Sequence, residues 1–183
     1  MIIRDIKIFS QNIQKNNLIV NVILETKYNF DIICIQEPSW TTIHSLPSSR
    51  SCKGKELVGI PNHPNWLTFS KNLISVNNFP RFVTYINIRL SSLCFSLWKD
   101  LLNHRDILLV SFFNNDDIFY LINIYSDYSQ SALKYLKDTK VNIQNLLVMT
   151  GDFNIRDNLW DLLYSHHLSQ SDNIFIIVDC FNL

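Results

Sequence analysis

Apolar and polar residues alternate through "IKIFSQNI", the pattern of a strand with one buried face, and this strand is expected to end near Gln11. "NNLIVNVILETKY" follows, with Leu18, Ile19, Val22 and Ile23 at helical spacing, which predicts a helix on that face. "FDIICIQEP" is a short β-branched run and predicts a fully buried strand halted by Pro38. Residues 39–65, rich in Ser, Pro and Gly, predict a long loop. Short "WLTFS" and alternating "RFVTYINIRL" then predict strands, and "DILLVSFF" and "DIFYLINIY" flank "NNDD", a hairpin signal. "YSQSALKYLKDTKVNI" predicts a helix capped by Ser129 or Ser131, and "NLLVMTGD" another buried strand. "NLWDLLYSHH" predicts a short helical or irregular piece. "SDNIFIIVDCFNL" predicts a last helix with Ser171 as its N-cap. The order β-α-β, antiparallel strands, α-β-α is that of a layered α/β protein, with no repeat or linker to divide it.

Composition narrows the picture. A chain of 183 residues that is 47% hydrophobic fits one domain with a sizeable core. Sixteen basic and 16 acidic residues cancel, so no basic block marks a nucleic-acid footprint. That balance counts against gripping DNA by bulk charge, but not against an enzyme whose positive charge is a bound metal ion. A local positive groove is conceivable from Arg50, Lys53, Lys55 and Arg81, although such residues are more often ordinary solvated charges. Four scattered cysteines form no CxxC pair, which disfavours zinc; Cys34 reads as a small core hydrophobe. Free thiols, no signal peptide and no membrane-spanning run predict a soluble intracellular protein.

The chemistry gathers where strands are expected to stop. Asn12 follows the first, Glu37 the second, Asn123, Tyr125 and Asp127 close a later one, and Asp152 and Asn154 sit in "GDFN". Ligand sites in layered α/β folds lie beyond the C-terminal ends of strands. Two carboxylates, amides and a phenol suit hydrolysis of a phosphate ester. Glu37 can supply an oxygen ligand to a hard divalent cation, which keeps several waters and needs few carboxylates. Asp152 can orient or deprotonate a water. Asn12, Asn154 and Tyr125 can donate hydrogen bonds to phosphoryl oxygens. The glycine before Asp152 allows close backbone approach. Each residue also has a plain structural reading: Asn12 as a turn former, Glu37 as a solvated acid, Tyr125 as a half-buried strand aromatic, Gly-Asp as an ordinary turn.

"SQNIQKN", "IICIQEP", "LINIYSD" and "MTGDFN", in this order across the whole chain, resemble the endonuclease/exonuclease/phosphatase superfamily, the metal-dependent phosphoesterases that include apurinic endonucleases and DNase I. "IQEPSW", "GIPNHPNW" and "GDFNIRDNLWD" look most like the endonuclease domain of fungal LINE-like non-LTR retrotransposons, which nicks target DNA to leave a priming 3′-hydroxyl. The resemblance implies a four-layer α/β/β/α sandwich of the DNase I-like type, spanning 1–183 and lacking the last strands. It implies Mg²⁺, with Mn²⁺ as the alternative, DNA as substrate, no membrane, and a nuclear location for action on genomic DNA. By position, Asn12 and Glu37 match the family's metal-site asparagine and glutamate. Tyr125 matches its phosphate-contacting tyrosine, Asp152 and Asn154 its water-positioning pair, and Trp160 a tryptophan common after that motif. The family's closing Ser-Asp-His motif has no counterpart. Ser171-Asp172-Asn173 lacks the histidine, His166 and His167 lie too near Asn154 in sequence, and His44, His63 and His104 have no motif context. Weak or absent activity is the expectation. The alternatives are a silent remnant or binding module, and a phosphatase on a small or lipid phosphoester.

Overall fold

The structure is a computed structural model. It describes residues 6–45, 56–71, 79–91, 94–97, 101–114, 117–139, 143, 145–155 and 174. They fall into two compact units, Met1–Leu90 and Ser91–Leu183.

In the first unit, β1 (Ile8–Asn12) leads through α1 (Asn17–Thr26) to β2 (Ile32–Gln36), which lies parallel to β1 with Asn12 opposite Gln36. This is a βαβ unit. β3 (Thr41–Ser45) and β4 (Glu56–Gly59) form a separate antiparallel pair. β5 (Trp66–Phe69) and β6 (Phe82–Asn87) complete a mixed sheet of order β1-β2-β6-β5. The segment expected to be one long loop therefore contains two strands. Its Ser, Pro and Gly content hid this pairing of two consecutive strands.

β2 and β6 are buried at every position, as a central pair covered on both faces requires. Alternation in "RFVTYINIRL" predicted a one-sided strand, but only its polar residues Thr84 and Asn87 interrupt the burial chemically. Cys34 is the core hydrophobe expected, fully buried, and desolvation pushes its thiol up to about 12.

α1 is capped by Asn16, whose side chain accepts from the backbone amides of Leu18 and Ile19. Of its expected face, Ile23 is buried and Ile19 packs against the core, while the other two positions face outward. Val20, Ile23 and Leu24 are buried, whereas Leu18 is 77% and Val22 59% exposed. The helix is apolar on two sides, so spacing alone could not choose between them. Packing against Ile13 and Trp66 decides, with the Trp66 indole donating to the Leu24 carbonyl at 3.1 Å.

The second unit repeats the plan. β7 (Cys94–Leu97), β8 (Ile107–Asn114) and β9 (Asp117–Tyr125) run antiparallel. The expected hairpin is present, closed by Asn114 opposite Asp117; β7 was not foreseen. α2 (Ser131–Thr139) then crosses to β10 (Leu146–Asp152), which lies parallel to β9. The sheet order is β10-β9-β8-β7. α2 buries Ala132, Leu133 and Leu136 against Ile107, Leu109, Ile122 and Ile124.

Neither predicted serine caps α2. Gln130 holds the cap position, its carbonyl accepting from Lys134, while Ser129 is drawn into a turn by the Asp127 carboxylate. β10 is half-buried rather than buried. Gly151 lies inside this strand, not at a turn. A Cβ there would stand 1.9 Å from the Ile124 carbonyl oxygen, so only glycine fits. The last helix expected from "SDNIFIIVDCFNL" lies outside the described residues except Ile174, which is helical and packs against the second core. No helix among the described residues is long and apolar enough to cross a membrane.

Candidate active site

Each unit ends its pair of parallel strands in one polar cluster. In the first, Asn12 is the last residue of β1 and Glu37 follows β2 directly. The Asn12 amide donates to Glu37 Oε2 at 3.1 Å. Asn12 Oδ1 accepts from the Gln14 amide at 2.8 Å, the signature of an Asx turn. Gln14, Lys15 and Glu37 all take left-handed backbone, with φ of 49°, 62° and 50°. Hydrogen bonds hold them there: the Lys15 amide donates to the Glu37 carbonyl, and the Glu37 amide to the Arg81 carbonyl, each at 2.8 Å. The chain leaves the sheet sharply before Pro38, and Glu37 sits half-buried at the bend.

A cavity of about 410 Å³ opens beside this bend, with Lys15, Glu37, Trp40, Phe79 and Arg81 in its wall. The Trp40 indole donates to the Pro80 carbonyl at 2.7 Å. Its ring lies nearly parallel to Phe79, with 5.7 Å between centroids and 14° between planes.

In the second unit, Tyr125 ends β9 and Asp152 ends β10, directly opposite each other in register. The Ser126 amide donates to the Asp152 carbonyl at 2.7 Å. Asp152 Oδ1 accepts from the Asn154 amide at 2.9 Å, and Asn154 Nδ2 donates to the Ser126 carbonyl at 2.8 Å. Asn154 thus staples the two strand ends together, in left-handed backbone with φ 49°. Phe153 between them packs against the core. The "GDFN" order follows from this: glycine for the close strand approach, the acid and the amide for the polar bend, the aromatic for anchorage.

The structure therefore brings Asn12 to Glu37, and Tyr125 to Asp152 and Asn154. Trp160, His166, His167, Ser171-Asp172-Asn173, Arg50, Lys53 and Lys55 lie outside the described residues. His63 and His104 have structural partners. His63 Nε2 lies 3.3 Å from Glu25 Oε1, and His104 Nδ1 accepts from the Asp106 amide and packs its ring on Tyr135. Three features escaped the sequence. Asp106 is fully buried, paired with Arg105 at 3.1 Å, and its carbonyl accepts from the Tyr125 amide. Ser126 keeps a buried hydroxyl with no hydrogen-bond partner among the described residues. The third is the aromatic wall of Trp40 and Phe79, for which the only linear signal was a tryptophan close behind Pro38.

Among the described residues no three His, Cys, Asp or Glu side chains gather into a metal cage. A carboxylate aimed by a neighbouring amide, as Glu37 is by Asn12, is a hard oxygen donor of the kind Mg²⁺ would take, with water filling the rest of its shell.

Two mixed sheets, each with a βαβ crossover that carries acid and amide groups to strand ends, make up an α/β fold of the DNase I-like type. Among solved structures, the chain is similar to the endonuclease domain of TRAS1, a telomere-specific non-LTR retrotransposon, with a TM-score of 0.67 over 95% of this chain and 71% of that one. The sequences are 14% identical, so the likeness is one of fold. No family model and no curated protein matches the chain.

Proposed function

We propose that this chain is a metal-dependent phosphodiesterase that nicks DNA, a domain of retrotransposon origin. One observation carries the reading. The polar residues expected at strand ends occupy the C-terminal ends of two parallel pairs, in a fold shared with a retrotransposon endonuclease domain. Glu37 is the metal-binding carboxylate, and Asn12 holds it in orientation through the 3.1 Å bond. A bound Mg²⁺ or Mn²⁺ supplies positive charge at a phosphoryl oxygen. Asp152 orients a water and accepts its proton as the water oxygen bonds to phosphorus. Asn154 and Tyr125 donate to the non-bridging oxygens as their charge grows, and Trp160 contacts the substrate. The phosphorus–O3′ bond breaks, and the leaving oxygen takes a proton from solvent, to which Asp152 returns the one it accepted, to become a 3′-hydroxyl. If its target is genomic DNA, its place of action is the nucleus.

A supercoiled-plasmid assay tests this. Relaxation of the plasmid with Mg²⁺ or Mn²⁺, abolished by EDTA and by Asp152→Ala, is the expected result. Equal background in both proteins would refute catalysis by this polypeptide. Release of phosphate from an inositol phosphate or sphingomyelin, with plasmid untouched, would move it to the small-ester phosphatases.

A further inference from the structure

The cavity beside Glu37 combines chemistry that neither a metal nor a plain anion requires. Two aromatic rings stack in its wall, and two cationic side chains, Lys15 and Arg81, border the same space. We propose that this cavity is a nucleotide subsite, where one unpaired base of the substrate stacks on the Trp40–Phe79 wall and Lys15 and Arg81 engage the adjoining phosphates. The proposal rests on DNA being the substrate and says which form of it the site selects.

The wall is set before any ligand arrives. Trp40 is fixed by its 2.7 Å bond to Pro80 and by Phe79 against its ring, so stacking a base orders little further. A π-face beside positive charge matches a nucleotide, which presents a flat ring next to an anion. The volume, about 410 Å³, falls in the range of roughly 300–1,000 Å³ typical of small-ligand clefts. Net charge is zero, so tracking a duplex by bulk electrostatics is weak, and stacking with two local cations supplies what the overall charge does not. A paired base cannot stack on a side chain without leaving the helix, so this site favours single-stranded, mismatched or frayed positions. Glu37 lines the same cavity. The selected base therefore lies next to the phosphate group that the Glu37 site handles.

The test is fluorescence anisotropy of a labelled ten-nucleotide single strand, and of its duplex, with the full chain in EDTA so that no cleavage intervenes. The single strand should bind more tightly than the duplex. Trp40→Ala should weaken single-strand binding by roughly 5- to 150-fold, the range of one lost base stack, with little effect on the duplex. Trp40→Phe should restore most of it, because a ring remains. Lys15→Ala should weaken both forms alike and reduce the slope of log affinity against log salt by about 0.7–0.9. Phe79→Leu keeps the Trp40–Pro80 bond and carries the test should Trp40→Ala unfold early. Single-strand affinity unchanged in Phe79→Leu, or equal losses for strand and duplex in Trp40→Ala, overturns the subsite. Ring-dependent binding without metal-dependent nicking keeps the subsite and removes the nuclease reading. Asp152-dependent nicking with ring-independent binding does the reverse.

Discussion

The Asn12 side-chain amide donates to the Glu37 carboxylate at 3.1 Å, across the ends of two adjacent parallel strands. A ligand carboxylate held by a neutral donor is pre-aimed, and partners of this kind contribute about 10- to 100-fold to metal affinity. Asn12→Ala should weaken Mg²⁺ by that factor, read as a displaced midpoint in the Mg²⁺ dependence of Tm. Glu37→Gln should abolish the dependence. A midpoint unmoved by either change would remove the metal from this cluster.

Gly151→Ala brings a methyl group to 1.9 Å from the Ile124 carbonyl oxygen, which belongs to a strand and cannot step aside. The strands must part. Overpacking of this kind costs about 1–3 kcal/mol, and for a chain of this size Tm should fall by roughly 2–12 °C in a calorimetric scan.

Asn154 has two roles that a pair of variants separates. Glycine keeps the left-handed backbone but loses the bond to Ser126; alanine loses both. Stability should fall in the order wild type, Asn154→Gly, Asn154→Ala, with about 1 kcal/mol between neighbours in urea denaturation. Nicking should drop by about 10²–10³ in both, since both lose the donor.

Cys34 carries an alkaline signature. Burial raises its thiol from 9.0 to about 12, with a smaller opposing effect from its Thr84 hydrogen bond. The folded state therefore keeps a proton that the unfolded chain releases above pH 9. Its contribution is complete below that pH and declines as pH climbs toward 12, by up to about 1.4 kcal/mol per unit. Burial likewise raises the Tyr85 phenol, which acts in the same direction above pH 10. Urea midpoints at pH 7, 9 and 10 should fall less steeply in Cys34→Ala than in the wild type. The native thiol should resist iodoacetamide until the protein unfolds.

Local patterns revealed what local forces decide. The β-branched runs of β2 and β9 and the polar residues at their ends were legible because burial and chain exit each leave a mark on consecutive residues. The inward face of α1 was legible only at Ile19 and Ile23. Leu18 and Val22 are as apolar as Val20 and Leu24, and the choice belongs to Trp66, far along the chain. The pairing of β3 with β4 was hidden by the Ser, Pro and Gly content of residues 39–65. The Trp40–Phe79 wall was hidden too, since its two rings meet only because β2 and β6 pair and bring the segments flanking them together. Asp106 reads as an ordinary turn acid in "NHRD"; its burial shows only once β8 is beside β9.

The left-handed backbone at Glu37 and Asn154 limits what mutation can do there. Valine or isoleucine would be refused by the main chain before any question of reactivity arose, while glycine, aspartate and asparagine would pass. A saturation library at these two positions would thus record a conformational filter first and a chemical one second, and only substitutions that clear the former report on the latter.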